Sequence, residues 1–156
     1  MKNEVTAYSV ALRFVGIKEV PGIAANPQIV AMLQLVQPGL HNDDTAWCSA
    51  FVNYIAWLLG LPRSKSLAAR SWLRIGDMVL PENARGINDV IIVKRGPDPQ
   101  PGPDMIDAPG HVGFFAGWVD SGKKRVLILV GNQKSDGEVC IESFPSEWIL
   151  GIRRLA

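Results

Sequence analysis

Two hydrophobic periods divide this chain, and the change from one to the other limits its fold more than any other feature. Up to about Ile75 the apolar residues recur at helical spacing; from Asp89 onward they come in short runs broken by Gly, Pro, Asp and Ser. Val5 to Val15 reads as one helix. Asn26 as N-cap and Pro27 at the first helical position open a second, which continues from Gln28 to Val36 and is stopped by Gln37-Pro38-Gly39. A third runs from about Cys48 to Leu59, closed by Gly60 with Pro62 beyond, and a shorter fourth covers about Ser66 to Ile75. Five strands follow: Val90 to Val93, His111 to Val119, Val126 to Val130, Val139 to Phe144 and Ile149 to Arg153. Helices first and antiparallel strands second predict an α+β domain, its helices gathered on one side of a sheet of about five strands. At 156 residues and 47% hydrophobic, the chain suffices for one domain with a real core and is short for two. A single domain over 1–156 is expected, helical to about 76 and β from about 89.

Charge and cysteine usage exclude several classes. Sixteen basic residues against fifteen acidic ones leave a formal charge of +1, so nothing electrostatic points to nucleic acid. No run approaches the ~18 apolar residues of a membrane span. Met1-Lys2-Asn3-Glu4 is not followed by a signal-peptide core, so synthesis in the cytoplasm without membrane insertion is expected. Of the two cysteines, Cys140 lies in the strand-like Glu138-Val139-Cys140-Ile141-Glu142 and reads as a small buried hydrophobe.

Cys48 reads differently. Asp44-Thr45-Ala46-Trp47-Cys48-Ser49 precedes the third helix, where Thr45 or Asp44 is expected to cap the first turn and the helix dipole to favour a thiolate on Cys48. Phe51, Val52, Ile55, Leu58 and Leu59 make its apolar stripe, and extending the stripe backwards points Cys48 inward. Gly110-His111-Val112-Gly113 opens a strand and supplies an imidazole base for such a nucleophile. A two-residue turn at Ser121-Gly122 would pair Asp120 with Lys123 and set His111 opposite Asn132; a turn one residue longer would set Gln133 there instead. Gly113 is expected to let the Cys48 helix approach closely. The segment Gly96-Pro97-Asp98-Pro99-Gln100-Pro101-Gly102-Pro103 holds no regular element, empties into His111, and is expected to form one wall of a substrate groove. Trp47 is a candidate cleft wall, with packing beside the helix start as the alternative; Asp44 is a cap or a substrate contact. His41-Asn42-Asp43-Asp44 lacks the ligand alternation of a calcium loop and reads as a polar turn.

Taken together, Asp44-x-x-Trp47-Cys48-Ser49-Ala50-Phe51-Val52, Gly110-His111-Val112-Gly113, Gly131-Asn132-Gln133 and the closing Gly151-Ile152-Arg153 resemble the papain-like peptidoglycan hydrolases of the CHAP and NlpC groups, and most of all the short phage endolysins. The lead-in Gly16-Ile17-Lys18-Glu19-Val20-Pro21-Gly22 is similar too, so the resemblance covers nearly the whole chain. It implies a papain-like fold without a separate wall-binding domain, Cys48 as nucleophile, His111 as base and Asn132 as the residue that orients the imidazole. Gln133 is the competing orienting residue and otherwise a substrate contact. The implied activity is thiolate attack on an amide of the peptidoglycan stem peptide or of the muramoyl-alanine link, by a monomer needing no metal or cofactor and acting in the periplasm or wall after release. An inactive wall-binding module, or a cysteine peptidase or toxin with another amide substrate, are the alternatives.

Overall fold

The computed structural model describes residues 4–43, 45–134 and 136–156. Among these, three α-helices, α1 (Ala7–Ala11), α2 (Pro27–Val36) and α3 (Cys48–Leu58), precede six strands: β1 (Asp77–Met78), β2 (Asp89–Lys94), β3 (Gly110–Trp118), β4 (Arg125–Gln133), β5 (Glu138–Pro145) and β6 (Ile149–Arg154). The strands form one antiparallel sheet in the order β1-β6-β2-β3-β4-β5, so the chain is α+β.

Local chemistry explains most boundaries. Thr6 and Ser9 form a reciprocal capping box at the start of α1. The expected helix from Val5 to Val15 is α-helical only to Ala11 and tightens into a 3-10 turn over Leu12–Phe14. Asn26 caps α2 by accepting from the Gln28 N–H at 2.9 Å, with Pro27 at the first position, as the sequence predicts. The fourth helix is replaced by a 3-10 turn, Ala69–Arg74. There the Ser66 hydroxyl accepts from the Ala68 N–H and the Ser71 hydroxyl donates to the Ala68 carbonyl, local bonds that compete with the α-helical ladder. The sixth strand, β1, is two exposed residues long, too short to carry an alternation signal.

The core lies between α3 and the sheet. Phe51 of α3 meets Phe114 of β3 edge-on at 6.0 Å, and Val52 and Ile55 are wholly buried, each side chain of this kind worth roughly 1.5–3 kcal/mol of burial. The sheet is coiled: Phe144, near the end of edge strand β5, returns to within 6.3 Å of the His111 ring two strands away. The lead-in segment joins the other end of β5, where the Gly16 N–H donates to Val139 and the Val139 N–H to Ile17.

The β3–β4 register positions the site. The Lys123 N–H donates to the Asp120 carbonyl across Ser121-Gly122, but the connection between the paired strands is one residue longer than that turn would make it, since Trp118 pairs with Val126. Ala116 then bulges from β3, and beyond it Gly113 pairs with Val130, the register a two-residue turn would have produced. The two departures cancel. Continued, that register aligns His111 with Asn132, but the ladder stops at Gly113. At Asn132 the backbone turns into the left-handed region (φ 60), and the β4–β5 register shifts between Val130 and Gln133. Gly113 is crowded by its own sheet, with an added Cβ lying 2.4 Å from the Leu129 carbonyl oxygen. The close approach to α3 falls instead at Gly131, where a Cβ would sit 2.6 Å from the Trp47 ring.

Candidate active site

Cys48 occupies the first turn of α3, and its sulfur faces the backbone N–H groups of Val112, Ser49 and Cys48 itself. The N-cap is Trp47, with no side-chain capping bond, so the expected cap from Thr45 is not formed; Asp44, the other candidate cap and a candidate substrate contact, lies outside the described residues. Among the described residues no capping oxygen engages the first-turn donors. The Val112 N–H is available because β4 no longer pairs with β3 beyond Gly113. The thiol is nevertheless only 4% exposed, and burial pushes it above the ordinary thiol range against those donors and Arg95. The expectation of a resting thiolate is therefore corrected. The helix-terminal N–H groups are present, but desolvation outweighs them.

His111 is anchored by β2, where it pairs with Val93. Its ring stands beside Phe144, and burial, aided by the Arg95 cation, lowers it to about 4. The resting pair is thus neutral thiol and neutral imidazole. Among the described residues no hydrogen bond joins the two side chains. Phe114 and, by strand alternation, Val112 face α3, whereas His111 shares the opposite face with Gly113. Their link runs through the chain: His111 is followed by Val112, whose backbone N–H is among the groups that act on the Cys48 sulfur. His111 Nδ1 is buried without a partner, a state that costs roughly 1–3 kcal/mol.

The companion residues divide. Asn132 sits at the register position aligned with His111, but makes no hydrogen bond to it among those described; its left-handed backbone is one that Asn tolerates better than most residues. Gln133 pairs with Glu138 at the start of β5 and makes no side-chain hydrogen bond to His111 among the described residues. Trp47 is fully buried under Gly131 and donates through Nε1 to Glu19 Oε1 at 2.8 Å, so it is packing and not a cleft wall. Asp43, in the turn after His41, is buried and accepts from the Val20 and Asn26 N–H groups, tying the lead-in to α2.

Two arginines shape the surroundings, and neither stood out in the sequence. Arg70 is wholly buried on the 3-10 turn and donates to the carbonyls of Pro109, Pro101 and Gly102 and to Gln100 Oε1, at 2.9–3.2 Å. One guanidinium thereby holds the proline-rich loop against the strand that begins at Gly110. Its donors are satisfied by neutral oxygens without a carboxylate. Arg95 follows β2 and, with Pro97, Pro99, Gln100, Pro101 and Pro109, lines a groove of about 530 Å³. Neither Cys48 nor His111 lines it; its Arg95 acts electrostatically on both, and its Pro109 directly precedes the strand that carries His111. An arginine within an Ala-Ala-Arg-Ser-Trp run, or beside a Gly-Pro loop, carries no periodicity that marks it as a clamp or a rim.

The chain matches no known family model and no curated protein.

Proposed function

We propose that this chain is a cysteine-dependent amide hydrolase with Cys48 as nucleophile and His111 as general base. Its substrate, in this reading, is bacterial peptidoglycan, cut at an amide of the stem peptide or at the muramoyl-alanine link. The observation that carries the reading is a cysteine in the first turn of α3, its sulfur acted on by the backbone N–H of Val112, the residue that follows a histidine whose buried Nδ1 has no partner among the described residues. The resemblance to the CHAP and NlpC hydrolases supplies the substrate, and its phage members supply the setting: a short endolysin acting in the periplasm or wall. No helix among the described residues is long and apolar enough to cross a membrane.

In the reaction, the imidazole turns over the unpaired edge of β3 to engage the thiol, as hydrogen bonds at resting sites often tighten only with substrate present. It takes the Sγ proton while sulfur attacks the carbonyl carbon. The oxyanion is met by the Cys48 N–H at the start of α3. His111 then returns the proton to the departing amine nitrogen, leaving a thioester. Water, deprotonated by the same imidazole, attacks the thioester; acid is released and the proton returns to sulfur. Because thiol and imidazole start neutral, proton transfer belongs to the attack step and not to a preformed ion pair.

The buried, unlinked thiol and imidazole are also what an inactive module of the same fold would show. Loss of turbidity of purified bacterial walls, with mass analysis of released fragments, separates the two readings. Active wild-type protein is expected to release peptides with new amide-derived termini, and Cys48→Ala, Cys48→Ser and His111→Ala to release none while remaining folded. Wall cleavage retained by Cys48→Ala removes the catalytic assignment; cleavage of protein amides but not walls moves the substrate elsewhere.

A further inference from the structure

The groove beside Cys48 and His111 combines a rigid apolar wall with one uncompensated cation. Four of its lining residues are prolines, whose fixed φ costs little to order, and the loop is braced from below by the four hydrogen bonds of Arg70. Gln100, a lining residue, is itself held: its Nε2 donates to Gly96 and Pro97 and its Oε1 accepts from Arg70. Arg95 differs. It is exposed, it stands at the end of the strand that pairs with His111, and among the described residues it has no ion-pair or hydrogen-bond partner. The nearest acid in sequence, Asp98, is taken by Lys94 at 2.8 Å. A preformed groove with an unpaired guanidinium at its catalytic end is complementary to an extended peptide with a carboxylate close to the bond being cut.

Building on the hydrolase reading, we infer that Arg95 is a specificity residue that binds a free carboxylate of the substrate peptide, so that the groove selects acidic wall peptides over their amidated counterparts. An apolar groove alone would accept both, since a carboxamide has the same shape. The guanidinium fork distinguishes them by charge and by two parallel N–H donors, which a carboxylate accepts together and an amide cannot. Prolines along the wall offer carbonyls and no N–H groups, so Arg95 is the one charged donor among the described lining residues.

The test uses purified peptidoglycan in two forms, untreated and with its carboxylates converted to amides by carbodiimide and ammonia. Wild-type protein is expected to digest the untreated walls at least tenfold faster, and Arg95→Gln to abolish that preference; Arg95→Lys retains part of it. Equal digestion of both forms by wild-type protein, or an equal slowing of both by Arg95→Gln, overturns the inference while leaving the hydrolase reading intact. Calorimetric titration of soluble wall peptides, free and amidated, into the Cys48→Ala protein reads the same preference without turnover. Tighter binding of the free-acid peptides that disappears in Cys48→Ala/Arg95→Gln supports the subsite even if no wall is cut; equal binding of the two forms refutes it.

Discussion

The chemistry of the site depends on groups held neutral by burial. For His111 the folded value is about 4 against an ordinary 6.5, so the unfolded chain binds the proton first as pH falls. The stability linked to this imidazole is complete above pH 6.5 and is lost progressively toward pH 4, by about 3 kcal/mol if the shift is fully expressed. Denaturant midpoints between these values are expected to decline in wild type and to decline less in His111→Ala; equal slopes contradict the burial of this ring. In the proposed mechanism the same shift keeps His111 unprotonated in acid, so the acid limb of the rate profile is expected near pH 4 instead of 6.5. Asn132 separates two roles that one substitution confuses. Asn132→Gly preserves a backbone tolerant of positive φ while removing the amide, whereas Asn132→Ala strains the left-handed position by roughly 1 kcal/mol or more. If the amide orients His111, both variants lose activity; if Asn132 serves the chain bend, Gly retains activity and Ala chiefly lowers the melting temperature.

At the level of elements, the site is made where regular structure is interrupted. β4 leaves β3 after Val130, beside the Val112 whose N–H acts on the Cys48 sulfur, and Gly131 lets the start of α3 press against the sheet. Gly131→Ala brings a Cβ to 2.6 Å from the Trp47 ring, an overpacking that costs about 1–3 kcal/mol and displaces the helix start that carries Cys48. Activity is expected to fall further than stability, measured by wall digestion beside a melting curve; unchanged activity would show that Trp47 yields freely. Long elements were legible in the sequence: α2, α3 and the five longer strands stand close to their expected places because apolar period and caps agree there. The fourth helix was not, since serine hydroxyls rather than periodicity decide the backbone at Ser66 to Ser71. Nor was the hairpin, whose longer loop and Ala116 bulge offset each other, as no local composition marks such a bulge.

Across the whole molecule, residues far apart in the chain converge through the sheet: Cys48 comes from the helical half, while His111 and Arg95 come from neighbouring strands and Arg70 from the turn between the halves. The two residues proposed as nucleophile and base stood out in the sequence because a cysteine before an apolar helix and a histidine opening a strand are locally distinctive. Their protonation was not, because burial is a property of the assembled core and outweighs the helix-end donors that sequence suggests. The clamp of Arg70 on the proline-rich loop was hidden for the same reason. Arg70→Lys keeps the charge but loses the planar fork, so it is expected to lower kcat/KM and to open the loop to proteolysis at Gln100 to Gly102, both without unfolding the sheet. Whether Cys48 and His111 act as one unit is read most directly from the pH dependence of iodoacetamide uptake by Cys48, followed by peptide mass analysis in wild type and in His111→Ala. A wild-type rate that rises through a step near pH 4, with that step absent in His111→Ala and the rate at least tenfold lower at neutral pH, is the predicted result. Superimposable profiles for the two proteins would contradict it.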